Sequence, residues 1–199
     1  IVDENVLIPR PETELLVEQI IKDNSAKSKL RILDIGSGCG NISIVLADKL
    51  INPDVIGIDI SEGAINTSEK NRDELLRNKN LNFIKFDILN DDIKSLGKFD
   101  LVVSNPPYIS LTDYNKLEPE LKNYEPKNSL TDESDGLTFY KKIISISKLL
   151  LNNNGLIYFE IGKDQHKFIT DMMIENGLSN LQIIKDYSGI ERIIKGELL

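Results

Sequence analysis

Four consecutive residues, Asn105-Pro106-Pro107-Tyr108, hold the most chemistry in the shortest stretch of this chain. The side-chain oxygen of Asn105 and the carbonyl of Pro106 are two hydrogen-bond acceptors one residue apart. Such a pair could grip both N–H groups of a planar amine or amide. The lone pair of that kind of nitrogen is delocalised, so it attacks an electrophilic carbon poorly. Pinning the NH2 group, with partial negative charge aimed where positive charge develops on nitrogen, supplies orientation and electrostatic stabilisation together. The two prolines donate no backbone hydrogen bond and stiffen the chain that presents the acceptors. Tyr108 offers a flat face to a planar group. Chemistry of this kind needs no general base of shifted pKa, and neither His nor Cys stands nearby. The plain alternative is a proline-rich turn that ends a strand.

A second constellation is the run Asp34-Ile35-Gly36-Ser37-Gly38-Cys39-Gly40-Asn41. Glycines let the backbone turn sharply and let a ligand approach the main chain. A dinucleotide fingerprint, G-x-G-x-x-G, would need its third glycine at position 41, where asparagine stands. The pattern present, G-x-G-x-G behind an acid, resembles the first motif of class I methyltransferases, whose cofactor has no phosphate to be cradled. Asp59 closes the next apolar run, about 20 residues beyond the glycines, where nucleotide folds place an acid that accepts from ribose hydroxyls. Its other reading is a helix cap, although Ser61 already offers an N-cap for the helix that follows. Asp87-Ile88 would flank an adenine, Ile88 on the ring and Asp87 near the exocyclic amine, against a simple turn role for Asp87. Cys39 reads as a small loop filler, since the chain has no other cysteine. His166 reads as a solvated surface residue, Asp91-Asp92 as a solvated turn. Glu160 either faces the site or holds the loop after it.

These residues need a scaffold, and the rest of the chain spells one. Short apolar runs alternate with longer amphipathic stretches, the signature of an α/β domain with a mostly parallel sheet. Strands are expected over Leu30–Ile35, Val55–Asp59, Leu81–Phe86, Phe99–Ser104, Gly155–Ile161, Asn180–Asp186 and Glu191–Gly196. Helices are expected over Pro11–Asp23, Asn41–Leu50, Glu62–Arg77, Gly136–Leu151 and Asp164–Asn176. No helix separates the last two strands, so they should form an antiparallel hairpin around Tyr187–Ile190. The segment from Asn105 to Asp135 carries four prolines and no convincing periodicity. It leaves the fourth strand at the carboxyl edge where open α/β sheets bind ligands, and is read as functional.

Composition narrows the classes. A chain of 199 residues suffices for one domain with a sizeable core, and 40% hydrophobic with 28% charged residues suits a globular protein. No apolar run approaches the ~20 residues of a membrane span, and the start lacks the layout of a signal peptide. One cysteine and one histidine exclude a disulfide framework and a Cys/His metal cluster, and make a cytoplasmic setting the default. Asp and Glu outnumber Lys and Arg by 32 to 24, a net charge of −8 with no basic patch. That disfavours a nucleic-acid partner.

The segment Leu7-Ile8-Pro9-Arg10-Pro11-Glu12-Thr13-Glu14, together with Asn105-Pro106-Pro107-Tyr108, resembles the signature of the HemK/PrmC family, the protein-(glutamine-N(5)) methyltransferases of peptide chain release factors. Glu125-Pro126, Asp135-Gly136-Leu137, Phe159-Glu160-Ile161-Gly162, Gly189 and Arg192 extend the likeness over essentially the whole chain. The resemblance implies a Rossmann-like class I fold: a seven-stranded, mostly parallel sheet with a C-terminal antiparallel hairpin and helices on both faces. It implies S-adenosylmethionine as cofactor, held by Asp34, Gly36, Ser37, Gly38, Cys39, Gly40, Asp59, Ile60, Asp87 and Ile88, with Arg10 and Thr13 over the pocket. Asn105 to Tyr108 would hold the glutamine amide, with Asn105, Pro106 and Tyr108 catalytic. The implied partner is a release factor; a glutamine of a ribosomal protein is the near alternative, and adenine-N6 methylation of nucleic acid a remoter one. The family's small helical N-terminal docking domain is not in this sequence, which starts at Ile1, and a segment removed ahead of it is expected.

Overall fold

The computed structural model describes residues 1–76 and 80–199. The helix expected over Glu62–Arg77 ends on residue 77, which lies outside the described residues. Seven strands form one sheet: β1 (Arg31–Ile35), β2 (Asp54–Asp59), β3 (Leu81–Lys85), β4 (Phe99–Ser104), β5 (Leu151–Glu160), β6 (Leu178–Lys185) and β7 (Glu191–Leu198). Their order is β3-β2-β1-β4-β5-β7-β6. The first five run parallel, and β7 lies antiparallel between β5 and β6. β1 and β4 read as near-unbroken apolar runs because both faces are covered, as in parallel sheets generally. Along β4, Leu101 and Val103 enter one core with Leu16, Ile20 and Tyr158, while Val102 enters the other with Tyr140, Ile143 and Phe159.

Helices α1 (Pro11–Asn24), α2 (Asn41–Lys49) and α3 (Glu62–Leu75) pack together against one face. Arg10 is extended, as a residue before proline must be, and Pro11 opens α1 with Glu12 and Glu14 in its first turn and Lys22 in its last. Leu16, Val17 and Ile20 form its buried stripe. Among the described residues, no helix is long and apolar enough to cross a membrane.

Four expectations needed correction. The segment 105–135 holds three short helices: α4 (Leu111–Tyr114), α5 (Pro119–Tyr124) and α6 (Lys127–Leu130). Each is too short to leave a helical period in the sequence. Its stem is closed by Ile109 N–H donating to the Leu130 carbonyl (3.0 Å) and Leu111 N–H to that of Ser134 (2.9 Å). The helix expected over Gly136–Leu151 is two, α7 (Thr138–Ser145) and α8 (Ser147–Leu150), broken at Ile146 with φ −101° and ψ 3°. Leu151 already belongs to β5, four residues before the expected start; it is fully buried and pairs with Phe99. The asparagines that follow it extend the strand, Asn152 Nδ2 donating to Asp100 Oδ1 (2.8 Å). The last helix, α9 (His166–Glu175), packs beside α7 on the second face. His166 at its start is half-buried, with Nδ1 enclosed, rather than solvated.

Strand order reverses at β1, which pairs with β2 on one side and β4 on the other. Ile35 pairs with Ser104, so the chain leaves both strands side by side at their carboxyl ends. Open α/β sheets bind ligands in that crevice.

Candidate active site

The crevice is a cleft whose empty volume, mouth included, is about 1050 Å3, ample for a nucleoside-sized ligand. Its floor is the glycine loop. Gly38 has φ +54° and open space where a Cβ would project. Gly40 has φ +83° and precedes α2; a Cβ there would strike the Phe83 ring, so only glycine fits this turn. Ser37 Oγ is buried, lines the cleft and has no hydrogen-bond partner among the described residues. Cys39 is buried against Val6 and Ala64, which push its thiol pKa up.

Asp59 ends β2 at the cleft and performs two structural tasks. Its Oδ2 accepts from Gly38 N–H (3.0 Å) and its Oδ1 from Ser61 N–H (2.9 Å). Burial raises its pKa, and those backbone donors oppose the rise. The helix cap belongs to Ser61, whose Oγ accepts from Ala64 N–H (3.2 Å). Ile60 and the buried Ile88 form apolar wall. Asp87 also lines the cleft, but its carboxylate is engaged in a turn, accepting from Leu89 N–H (2.8 Å) and Asn90 Nδ2 (2.7 Å).

At the other side of the floor stand Asn105, Pro106 and Pro107. Asn105 Nδ2 donates to Thr13 Oγ1 (3.1 Å), and Thr13 Oγ1 donates to Glu160 Oε2 (2.7 Å). Burial pushes the Glu160 carboxyl up to about 7; the Thr13 hydroxyl, Arg192 and Asn105 pull it down, and Glu12 pushes it up.

Four residues expected at the site stand off the cleft. Asp34 is fully buried beneath the loop, its Oδ2 accepting from Ser43 Oγ (2.6 Å) and its carboxyl pushed up to about 7 by burial. Gly40 lies behind the lining as the N-cap of α2. Arg10 is drawn aside by an ion pair with the buried Glu125 (2.5 Å) in the 105–135 segment. Tyr108 does not present its face to the cleft. Gln165 Nε2 fastens its carbonyl (2.9 Å), its ring packs on the core, and burial followed by the Glu160 charge pushes its hydroxyl up to about 12.

Sequence reasoning missed the other walls. Asn5 to Leu7 and Pro9 form a strap that lines the cleft, as do Asn128, Ser129 and Phe139. Val6 anchors the strap in the pocket of Cys39 and Ala64, and Thr67 Oγ1 donates to Asp3 Oδ2 (2.6 Å). The one local signal was Asp3-x-Asn5, an Asx turn in which Asn5 N–H donates to Asp3 Oδ1 (2.9 Å).

A sheet reversing at β1, with a glycine loop and an acid-ended β2 around one cleft, matches a known class: residues 26–185 fit the family model described as Methyltransferase domain. The fold is shared with solved structures such as a methyltransferase from Pyrococcus furiosus, with a TM-score of 0.71 at 19% identity over 99% of this chain and 87% of that one. Nearer relatives are a release factor glutamine methyltransferase of Fusobacterium nucleatum, 47% identical over 96% of this chain and 53% of its own length, and one of Thermodesulfovibrio yellowstonii, 38% identical over 97% and 69%. The chain belongs to the release factor glutamine methyltransferase family. It spans about half the length of the first of these relatives and about two thirds of the second.

Proposed function

We propose that this chain transfers a methyl group from S-adenosylmethionine to the side-chain amide nitrogen of a glutamine in a peptide chain release factor. The observation that carries the reading is Asn105. Its Nδ2 is taken by Thr13, so the atom left for the cleft is Oδ1, an acceptor beside the glycine loop.

The cleft fits the cofactor. Open space at Gly38 lets a ligand lie on the backbone, the unpartnered Ser37 Oγ awaits a polar group, Asp59 keeps lone pairs free for ribose hydroxyls, and Ile60 and Ile88 offer apolar surface for an adenine. When bound, S-adenosylmethionine supplies an electrophilic methyl on a sulfonium centre. Asn105 Oδ1 and the Pro106 carbonyl accept from the two amide hydrogens, hold the NH2 group in line and stabilise the charge that develops on nitrogen. Pro107 keeps that turn rigid. Tyr108, fastened through Gln165, holds the turn from behind. Arg10 contributes by tying the segment 105–135 to the start of α1. Asp34 supports the glycine loop from below through Ser43 at the start of α2.

The net charge of −8 supports a protein acceptor over nucleic acid in a cytoplasmic setting, and the names of the relatives favour a release factor over a ribosomal protein. The test is transfer of labelled methyl to release factor, ribosomal protein and DNA in parallel. Label on the release factor glutamine alone is the expected result, and label on either other acceptor instead overturns the reading.

A further inference from the structure

We propose that Glu160 is a positioning residue that, through the Thr13 hydroxyl, fixes which end of the Asn105 side-chain amide faces the cleft. The proposal rests on the functional reading above, but its geometry stands apart from it. A threonine hydroxyl has one proton to give. Thr13 gives it to Glu160 Oε2 at 2.7 Å, so towards Asn105 it presents only lone pairs. Asn105 must therefore turn Nδ2 to Thr13, at 3.1 Å, and Oδ1 the other way. The three residues come from the first turn of α1, the end of β4 and the end of β5. The middle and the acid end of the relay are held firmly: Thr13 and Glu160 are 3% and 1% exposed, and Tyr140 Oη donates to the Glu160 backbone carbonyl at 2.7 Å.

Polarity of this relay depends on the acid being ionised. A carboxylate only accepts; a protonated acid or a glutamine could donate to Thr13, which would then pass its own proton to Asn105 Oδ1. The amide would rotate and present N–H to the N–H of the substrate, donor against donor. A buried glutamine would fill the same space without the cost of burying a charge, but it would lose this direction. Besides Thr13 and the Asn105 amide, which both pull its carboxyl down, the groups facing Glu160 are Glu12 on α1, Arg192 on β7, and the hydroxyls of Tyr108 and Tyr140, with the acid pushed up to about 7 among them.

Two measurements test the relay. Glu160→Gln and Thr13→Val should each lower kcat by up to about 10²-fold, the scale for a misplaced catalytic partner, while KM and cofactor Kd change much less. Thr13→Ser should recover most of what Thr13→Val loses, and the double variant should be no worse than the poorer single. A Thr13→Val enzyme with kcat within about twofold of the parent overturns the proposal, since a flipped amide should cost far more. Independently of turnover, the Asn105 side-chain NH2 resonance, assigned by its loss in Asn105→Ser, should shift with a midpoint of about 7 and lose that step in Glu160→Gln. A resonance that ignores Glu160 overturns the relay even where methyl transfer is found. A resonance that follows Glu160 in a chain that methylates no glutamine upholds the relay and overturns the functional reading.

Discussion

Replacing Asp59 with alanine separates ligand recognition from loop support, because both tasks are visible in its hydrogen bonds. Its two oxygens hold Gly38 N–H at 3.0 Å and Ser61 N–H at 2.9 Å, and each oxygen has a further lone-pair direction for a ribose hydroxyl. Loss of a hydrogen bond to a charged group costs about 1.5–3 kcal/mol. For the cofactor this is roughly a 10- to 150-fold rise in Kd at 1.4 kcal/mol per decade. The free chain also loses both backbone bonds, but water at the open cleft restores part of each, so the net cost to folding is about 1–3 kcal/mol. In a domain of this size that lowers Tm by about 2–4 °C per kcal/mol. Asp59→Asn is the companion variant: it keeps one acceptor oxygen but sets an NH2 against one of the two backbone donors. Calorimetry with S-adenosylmethionine and thermal melts of all three chains are the assays. A folded Asp59→Ala chain that binds the cofactor as tightly as the parent refutes the ribose assignment.

Three further outcomes are expected. Asn105→Ala should reduce methyl transfer by about 10²–10³-fold, the loss for one preorganised transition-state partner, with cofactor affinity nearly unchanged; steady-state kinetics beside calorimetry checks the split, and parental turnover defeats the amide clamp. Asp34, held at about 7 against an ordinary 3.8, keeps its proton more tightly in the folded chain than in the unfolded one. Stability should therefore fall as pH rises from about 4 to 7, by about 4 kcal/mol at 1.36 kcal/mol per unit. Asp34→Asn should flatten that fall, leaving the slopes due to Glu160 and Asp59, which are shifted the same way; melts from pH 4 to 8 that run parallel to the parent refute the assignment. Arg10→Ala leaves the buried Glu125 without its cation, at a cost of about 1–3 kcal/mol. Cleavage within residues 105–135 should quicken under limited proteolysis, and an unchanged digestion pattern would remove Arg10 as the tie.

Much of the fold was legible because parallel strands are buried on both faces and so stand out as apolar runs between Gly and Asp. β4 was expected over its observed bounds, and β1 within a residue. What misled was local chemistry overruled by distant partners. The asparagines after Leu151 carry turn preferences, yet Leu151 pairs with Phe99 before them and Gly155 with Leu198 after them, and the strand runs through. In the site, the glycine loop and the Asn-Pro-Pro turn were legible because their residue types are chosen for backbone shape. Acids were not: nothing local distinguishes Asp34, sealed under the loop, from Asp59 at the cleft. Nor could sequence pair Thr13 with Asn105 and Glu160, 92 and 147 residues away. The alternatives for Glu160 turn on three elements that meet only in the fold, which no local pattern carries.

The place of β7 in the sheet has a consequence for synthesis. β6 is made first but touches the sheet only through β7. Until β7 has emerged, β6 has no strand to pair with in the sheet and the outer edge of β5 stands bare, a row of unpaired N–H and C=O groups open to other nascent chains. The tight turn at residues 186–190, where Asp186 accepts from the N–H groups of Ser188 (2.8 Å) and Ile190 (3.0 Å), shortens that interval. A hairpin closes in about 1–10 μs, whereas translation adds only about 5–20 residues each second. The sheet's completion is thus paced by the ribosome, and the hairpin arrives as a preassembled piece that seals the β5 edge.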